Sequence, residues 1–292
     1  ANTTGGDNVA VGKDALKVNT TGAANVAVGI GALIANTTAD LNIAVGANAL
    51  GANTTGTRNI AIGYYTYDSS DTENDNMAIG YNAMTENTAG GTLNIAIGNY
   101  ALDALTSGDN NVAVGRNAMA ANTTGTRNMA IGTSAYTASD TENDNIAIGY
   151  DAMTTDTAGG TQNIALGNYA LDALTSGDSN VAIGYNALTA NTTGIKNSAV
   201  GADTLVDNST GAGNTSLGYA ALANNTTAND NVAVGKEALF TNITGANNTA
   251  IGKDDMFNNT ASDNTAVGKG ALQANTTGTY NTAVGKSALT AN

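Results

Sequence analysis

The 292 residues include no His, Cys, Pro or Trp, and they carry a net charge of −14. Without His or Cys, a Ser–His–Asp triad, a Cys–His pair, a Cys/His zinc site and any disulfide are excluded. The acidity argues against a nucleic-acid partner, because phosphate neutralisation needs basic residues, and aromatics at 4% are too few for an ordinary large core.

In chain order, the first predicted element starts at Asn8 with NVAVGKDALKVNTTGAA, and the same phrase restarts at Asn25. The glycine of N-x-A-[VIL]-G falls at Gly12, Gly29, Gly46 and Gly63 and continues to Gly285, seventeen times in all. The step from Gly12 to Gly29 is the rule; two later steps are longer by a single residue and one is shorter by the same amount. A unit of this length is too short for a helix pair and suits one coil of a β-solenoid. The fold class expected is therefore all-β: a parallel β-solenoid of seventeen coils, about 17 residues each, forming one repeat domain over residues 1–292.

Within each unit, position 1 is Asn, and stacking turns Asn8, Asn25, Asn42 and Asn59 into an amide ladder at the strand spacing. Positions 2 to 4 form a short strand. Position 4 is always aliphatic, from Val11 to Val284, and position 3 is Ala except at Ser216. Alternation puts positions 2 and 4 on one face, expected inward, with the small Ala outside. Gly12, Gly29, Gly46 and Gly63 make the first corner. A second short strand is expected at Ala15–Leu16 and its equivalents, with Leu inside. N-T-T-G then turns the chain, and a second Asn ladder runs through Asn19, Asn36, Asn53, Asn122, Asn191, Asn225 and Asn275.

A longer period overlies the first. Residues 56–113 recur at 125–182, so that a block spanning about 56–193 reads as a duplication of four units. Its turn segment contributes the best acidic cluster, Asp71, Glu73 and Asp75, repeated as Asp140, Glu142 and Asp144. Oxygen ligands at alternate positions suit a hard cation, which makes these a Ca²⁺ candidate against the simpler reading of a solvated turn. No other cofactor and no catalytic residue is expected.

The position after the invariant Gly carries much of the variation. It holds Tyr64, Tyr81, Tyr150, Tyr185 and Tyr219, then Lys236, Lys253, Lys269 and Lys286. Stacking lines these up as a surface stripe in which tyrosines are available to sugar rings.

The cadence VAVGKDA at 9–15 and IAIGYDA at 146–152 resembles the head repeats of trimeric autotransporter adhesins of the YadA type. The N-T-A-V-G-x-x-A-L-x-x-N-T-T-G form at 264–278 is similar to arrays in phage tail fibres. The resemblance implies a left-handed β-roll, a parallel homotrimeric fibre and an extracellular location, on a virion tail or a bacterial surface. It also implies a non-enzymatic role in attachment to a host-surface glycan or protein.

The chain opens at position 11 of the repeat and closes at position 12, at Asn292, so stacking of copies head to tail into an adhesin filament is an alternative expectation. A Thr-rich ice-binding solenoid is a further one. No apolar run approaches the ~18 residues of a membrane span, so this segment is not expected to cross a bilayer.

Overall fold

The computed structural model describes residues 2–87, 90–155 and 159–290, and shows an all-β parallel solenoid of about 16 turns, with about 17 residues per turn and no helix among the described residues. Ala1 and Asn292, at the ends on which the head-to-tail expectation rests, lie outside the described residues. The chain divides into two compact units, Ala1–Asp144 and Asn145–Asn292.

In the first unit the strands are β1 (Val9–Val11), β2 (Val26–Val28), β3 (Ile43–Val45), β4 (Ile60–Ile62), β5 (Met77–Ile79), β6 (Ile95–Ile97), β7 (Val112–Val114) and β8 (Met129–Ile131). Within this unit successive strands pair in parallel, residue for residue, as in Val9↔Val26, Ala10↔Ala27 and Val11↔Val28. The second unit repeats the arrangement with β9 (Ile146–Ile148), β10 (Ile164–Leu166), β11 (Val181–Ile183), β12 (Ser198–Val200), β13 (Thr215–Leu217), β14 (Val232–Val234), β15 (Thr249–Ile251), β16 (Thr265–Val267) and β17 (Thr282–Val284). Register survives the irregular coils: Met77 pairs with Ile95 across a longer coil and Thr249 with Thr265 across the shorter one. Extra or missing residues are therefore absorbed in the turns.

The strand faces correct the alternation argument. Ala, not its aliphatic neighbours, points inward: Ala27, Ala44, Ala61, Ala78 and Ala96 are fully buried, while Val11, Ile43 and Ile62 are exposed. The reason is room. Each strand is a short tripeptide between tight corners, so the space between it and the opposite wall admits a methyl group and little else. Ser216, the one departure from Ala, is accommodated because its hydroxyl meets that of Thr204, which itself replaces an Ala in the facing wall.

The facing wall supplies the larger side chains. Leu33, Leu50, Leu102, Leu171 and Leu188 are fully buried, each contributing about 1.5–3 kcal/mol by leaving water. This segment is not the second strand expected. It is a turn in which residues such as Asp14 (φ 61°) and Leu16 (φ 48°) are left-handed. Alternating hands curve the segment too sharply for a regular strand. Its main chain still stacks coil on coil, with Leu33 N donating to Ala49 O at 3.1 Å and Gly31 N to Lys13 O at 2.9 Å. Those bonds offset the steric cost of left-handed non-glycine residues.

Two amide ladders hold the coils in step. Asn25 is fully buried, and its Oδ1 accepts the backbone N–H of Asn42 at 2.9 Å while its Nδ2 donates to Ala39 O at 2.8 Å. Both partners belong to the following rung, so one side chain clips two coils together. Asn8, Asn42 and Asn59 repeat the clip onto Asn25, Asn59 and Asn76. In the second ladder the amides meet directly, with Asn36 Nδ2 donating to Asn19 Oδ1 at 2.9 Å, and Asn208 and Asn225 doing likewise in the second unit. Most of these buried amides thus meet the hydrogen-bonding demand that burial imposes, the Oδ1 atoms of Asn53 and Asn242 being exceptions.

Candidate functional site

The acidic cluster does not assemble as three converging ligands. Asp71 accepts from the hydroxyl of Thr54 in the preceding coil. Asp75 forms a two-pronged pair with Arg58, with Nε to Oδ1 at 2.6 Å and Nη2 to Oδ2 at 2.7 Å. The guanidinium hydrogen bonds hold the Asp75 carboxyl below its ordinary value. Asp140 and Asp144 repeat these contacts with Thr123 and Arg127. Among the described residues no group of three acidic side chains is placed to hold a metal ion.

Glu73 has a different part. It stands where most other coils have the Gly of N-T-T-G, and its side chain folds into the core, where it is buried. Oε2 accepts the N–H groups of Asp71 and Thr72 at 2.9 and 3.0 Å, and Oε1 accepts Gly90 N at 3.1 Å. Two further exchanges accompany it. Tyr67 replaces the core Leu and Ser70 replaces the ladder Asn; the Tyr67 hydroxyl accepts from Asn76 Nδ2 at 2.6 Å and Asn87 Nδ2 at 3.1 Å. Burial pushes the Tyr67 phenol well above its ordinary value. Glu142, with Tyr136 and Ser139, occupies the same three columns in the second copy. Both glutamates precede one of the two longer coils, whose additional residue falls just beyond Asn87 in one copy and Asp156 in the other. At Gly22 a Cβ would lie 2.4 Å from Ala39 O of the next coil, yet the same column holds Ala39, Ala228 and Ala261, so the backbone there shifts to admit a side chain in some coils.

The tyrosine stripe is real as a surface feature and unequal along its length. Tyr64 and Tyr81 stack face to face at 5.8 Å, with ring planes 1° apart. Tyr65 and Tyr100, which the stripe reading omitted, meet them edge-on at 4.5 and 5.3 Å. In the second unit Tyr169 stands between Tyr150 and Tyr185, at 5.5 and 5.9 Å. Tyr219 lies under the ammonium of Lys236 at 5.7 Å. Lys236 and Lys253 pair with the acids beside them, Glu237 at 3.3 Å and Asp254 at 2.9 Å.

The first group borders a groove. It measures about 430 Å³ and is lined by Tyr64, Tyr65, Asp68, Ser69, Tyr81, Asn82, Thr85 and Glu86. Burial, and then the Glu86 and Asp103 carboxylates, push Asp68 above its ordinary value. Neither Asp68 nor Glu86 has a cationic partner among the described residues. These acids come from positions 10 and 11 of adjacent coils, and no linear motif joins them to the tyrosines. Alignment of the repeat by column, followed by reading down adjacent columns, is the signal that brings them together.

The chain matches no protein-family model, and no curated protein is significantly similar to it. The groove and the ladders therefore carry the functional argument by their own chemistry.

The first residue of the turn pair, usually the first Thr of N-T-T-G, is committed to the scaffold, while the second, as at Thr21, Thr38 and Thr55, is exposed. Thr20 Oγ1 donates to Thr37 O at 2.9 Å, Thr175 Oγ1 to Thr192 O at 3.0 Å and Thr192 Oγ1 to Ser209 O at 3.0 Å.

Proposed function

We propose that this chain is a non-enzymatic structural and adhesive fibre, built as a parallel homotrimer and displayed outside the cell on a virion tail or a bacterial surface. The observation that carries this reading is the outward face of the strands. Val9, Val11, Ile43 and Ile62 in one unit and Ile183, Leu217, Ile251 and Val267 in the other stand exposed on a parallel sheet. Parallel sheets are ordinarily covered on both faces, and an apolar surface of this extent marks a contact. A second solenoid has side-chain ridges at the same spacing, so copies of this chain pack into it with every rung in step. Rigid coils then hold lateral surfaces away from the particle or cell, and three copies supply several weak contacts at once.

Sedimentation equilibrium tests the assembly. The expected mass is that of a trimer, and Ile62→Glu combined with Ile251→Glu is expected to give monomers with an unchanged β-type circular dichroism spectrum. Wild-type protein that stays monomeric at about 100 μM rules out the trimer. Binding of fluorescent protein to candidate host cells, displaced by unlabelled protein, tests the adhesive part.

A further inference from the structure

The two copies of the duplicated block provide an internal comparison. Residues 56–113 and 125–182 differ at thirteen positions, and six of these line the groove: Tyr64, Tyr65, Asp68, Ser69, Asn82 and Glu86. Their counterparts are Thr133, Ser134, Thr137, Ala138, Asp151 and Thr155. Of the eight lining residues only Tyr81 and Thr85 recur unchanged, as Tyr150 and Thr154. Several remaining differences exchange one aliphatic or Met for another, as at Ile60/Met129, Met77/Ile146 and Ile97/Leu166. Tyr64, Tyr65 and the two acids are thus present together in one copy and replaced together in the other, although the scaffold does not require any of them.

We propose that the groove between Tyr64 and Glu86 is a binding site for an amino sugar, a pyranose with a free protonated amine. The cavity is large enough for a disaccharide, given that small-ligand pockets run from ~300 to ~1,000 Å³. Exposed tyrosine rings offer flat faces to the C–H side of a pyranose and attract a nearby ammonium. Asp68 and Glu86 lie at one side of those rings without a cation of their own, and a protonated amine supplies the charge they lack. An acidic sugar is disfavoured by the same carboxylates. An acetylated amine loses the charge and keeps the ring. The proposal rests on the surface-fibre reading for its biological setting, and it names the kind of host or matrix glycan such a fibre would hold.

The test is isothermal titration of the assembled protein with chitobiose carrying two free amines, with N,N′-diacetylchitobiose and with cellobiose, disaccharides that share one ring skeleton. Chitobiose is expected to bind saturably, at least tenfold more tightly than either of the others. A variant carrying the second copy's residues, Tyr64→Thr, Tyr65→Ser, Asp68→Thr and Glu86→Thr, is expected to weaken chitobiose at least tenfold. Asp68→Asn with Glu86→Gln keeps side-chain size and is expected to abolish the preference for the free amine. No saturable chitobiose binding, equal binding of the acetylated sugar, or binding unchanged in the four-residue variant each overturns the proposal. Sedimentation of the same samples reports assembly independently, so an assembled fibre that ignores the sugar is distinguished from a chain that does not form a fibre.

Discussion

Asn42 donates its backbone N–H to the side-chain oxygen of Asn25 at 2.9 Å, and Asn42 Oδ1 in turn accepts the backbone N–H of Asn59 at 2.9 Å while its Nδ2 donates to Gly56 O at 2.8 Å. Removing this amide orphans the buried Asn59 N–H in the following rung, while Gly56 O keeps a second donor, Asn53 Nδ2 at 3.0 Å. Asn42→Ala is expected to destabilise by about 1–3 kcal/mol for the group left unpaired. Asn42→Asp keeps the acceptor but sets a charge against the Gly56 carbonyl, and it is expected to be worse at neutral pH than at pH ~4. Urea midpoints at the two pH values check both; equal midpoints for wild type and Asn42→Ala would show that the ladder is decorative.

Tyr67, Ser70 and Glu73 form one exchange rather than three. Tyr67→Leu removes one of the two acceptors of the Asn76 and Asn87 amides, leaving them Gly91 O, and Glu73→Gly strands the N–H groups of Asp71, Thr72 and Gly90. Each single change is expected to cost about 1–3 kcal/mol. Restoring the common pattern with Tyr67→Leu, Ser70→Asn and Glu73→Gly together is expected to cost clearly less than the sum, by ~1 kcal/mol or more of coupling. Additive free energies from denaturant titration would show that the three positions act separately.

The sequence made the coil length, the two Asn columns and the inward Leu legible, because each recurs at the coil period, the first Asn without exception and the other two with few exchanges. It misled on the strand faces, since alternation with larger side chains inside assumes a core with depth. The contrary signal was in the columns themselves. The position before Ala admits Val, Ile, Met, Ser and Thr, as at Ser198 and Thr215, which only an outward site tolerates; the Ala column never exceeds Ser216 in size, as an inward site without room requires. Glu73 in the core was also hidden, because an acid in a turn ordinarily faces water. The groove was half visible: Tyr64 and Tyr81 share a column, whereas Asp68 and Glu86 reach it only through stacking.

The corner glycine is required twice over. At Gly46 φ is +136°, and a Cβ there would lie 2.0 Å from Gly63 O of the following coil. The main chains approach too closely for any side chain, and a flexible neighbour is not what stands in the way. Gly46→Ala is therefore expected to cost more than Asn42→Ala, with loss of register around β3 and β4. Thermal melting together with hydrogen exchange at Ile43–Val45 and Ile60–Ile62 checks this; protection equal to wild type would mean that the corner can open without disturbing the ladder.

Asp255 gives the stability of the second unit a pH dependence of unusual sign. It occupies a column held elsewhere by Ala or Thr, and it is fully buried. Oδ2 accepts Ile251 N at 3.1 Å, Oδ1 has no hydrogen-bond partner, and the neighbouring N–H groups of Met256 and Gly268 are spent on Ala271 O and Ile251 O. Burial raises its carboxyl from 3.8 to about 7. Between those values the unfolded chain releases a proton that the folded chain keeps. Its contribution is therefore fully present below pH ~4, declines as pH rises by at most about 1.4 kcal/mol per unit, and stops declining above pH ~7. Asp75 and Asp144, held low by their arginines, act in the opposite sense at acid pH, but both are exposed and screened. Asp255→Ala is expected to flatten the decline between pH ~4 and ~7 and to raise the urea midpoint at pH ~8, where the wild-type chain carries an ionised carboxylate in its core. A variant whose midpoint tracks wild type across that range would place the Asp255 proton outside the folding equilibrium.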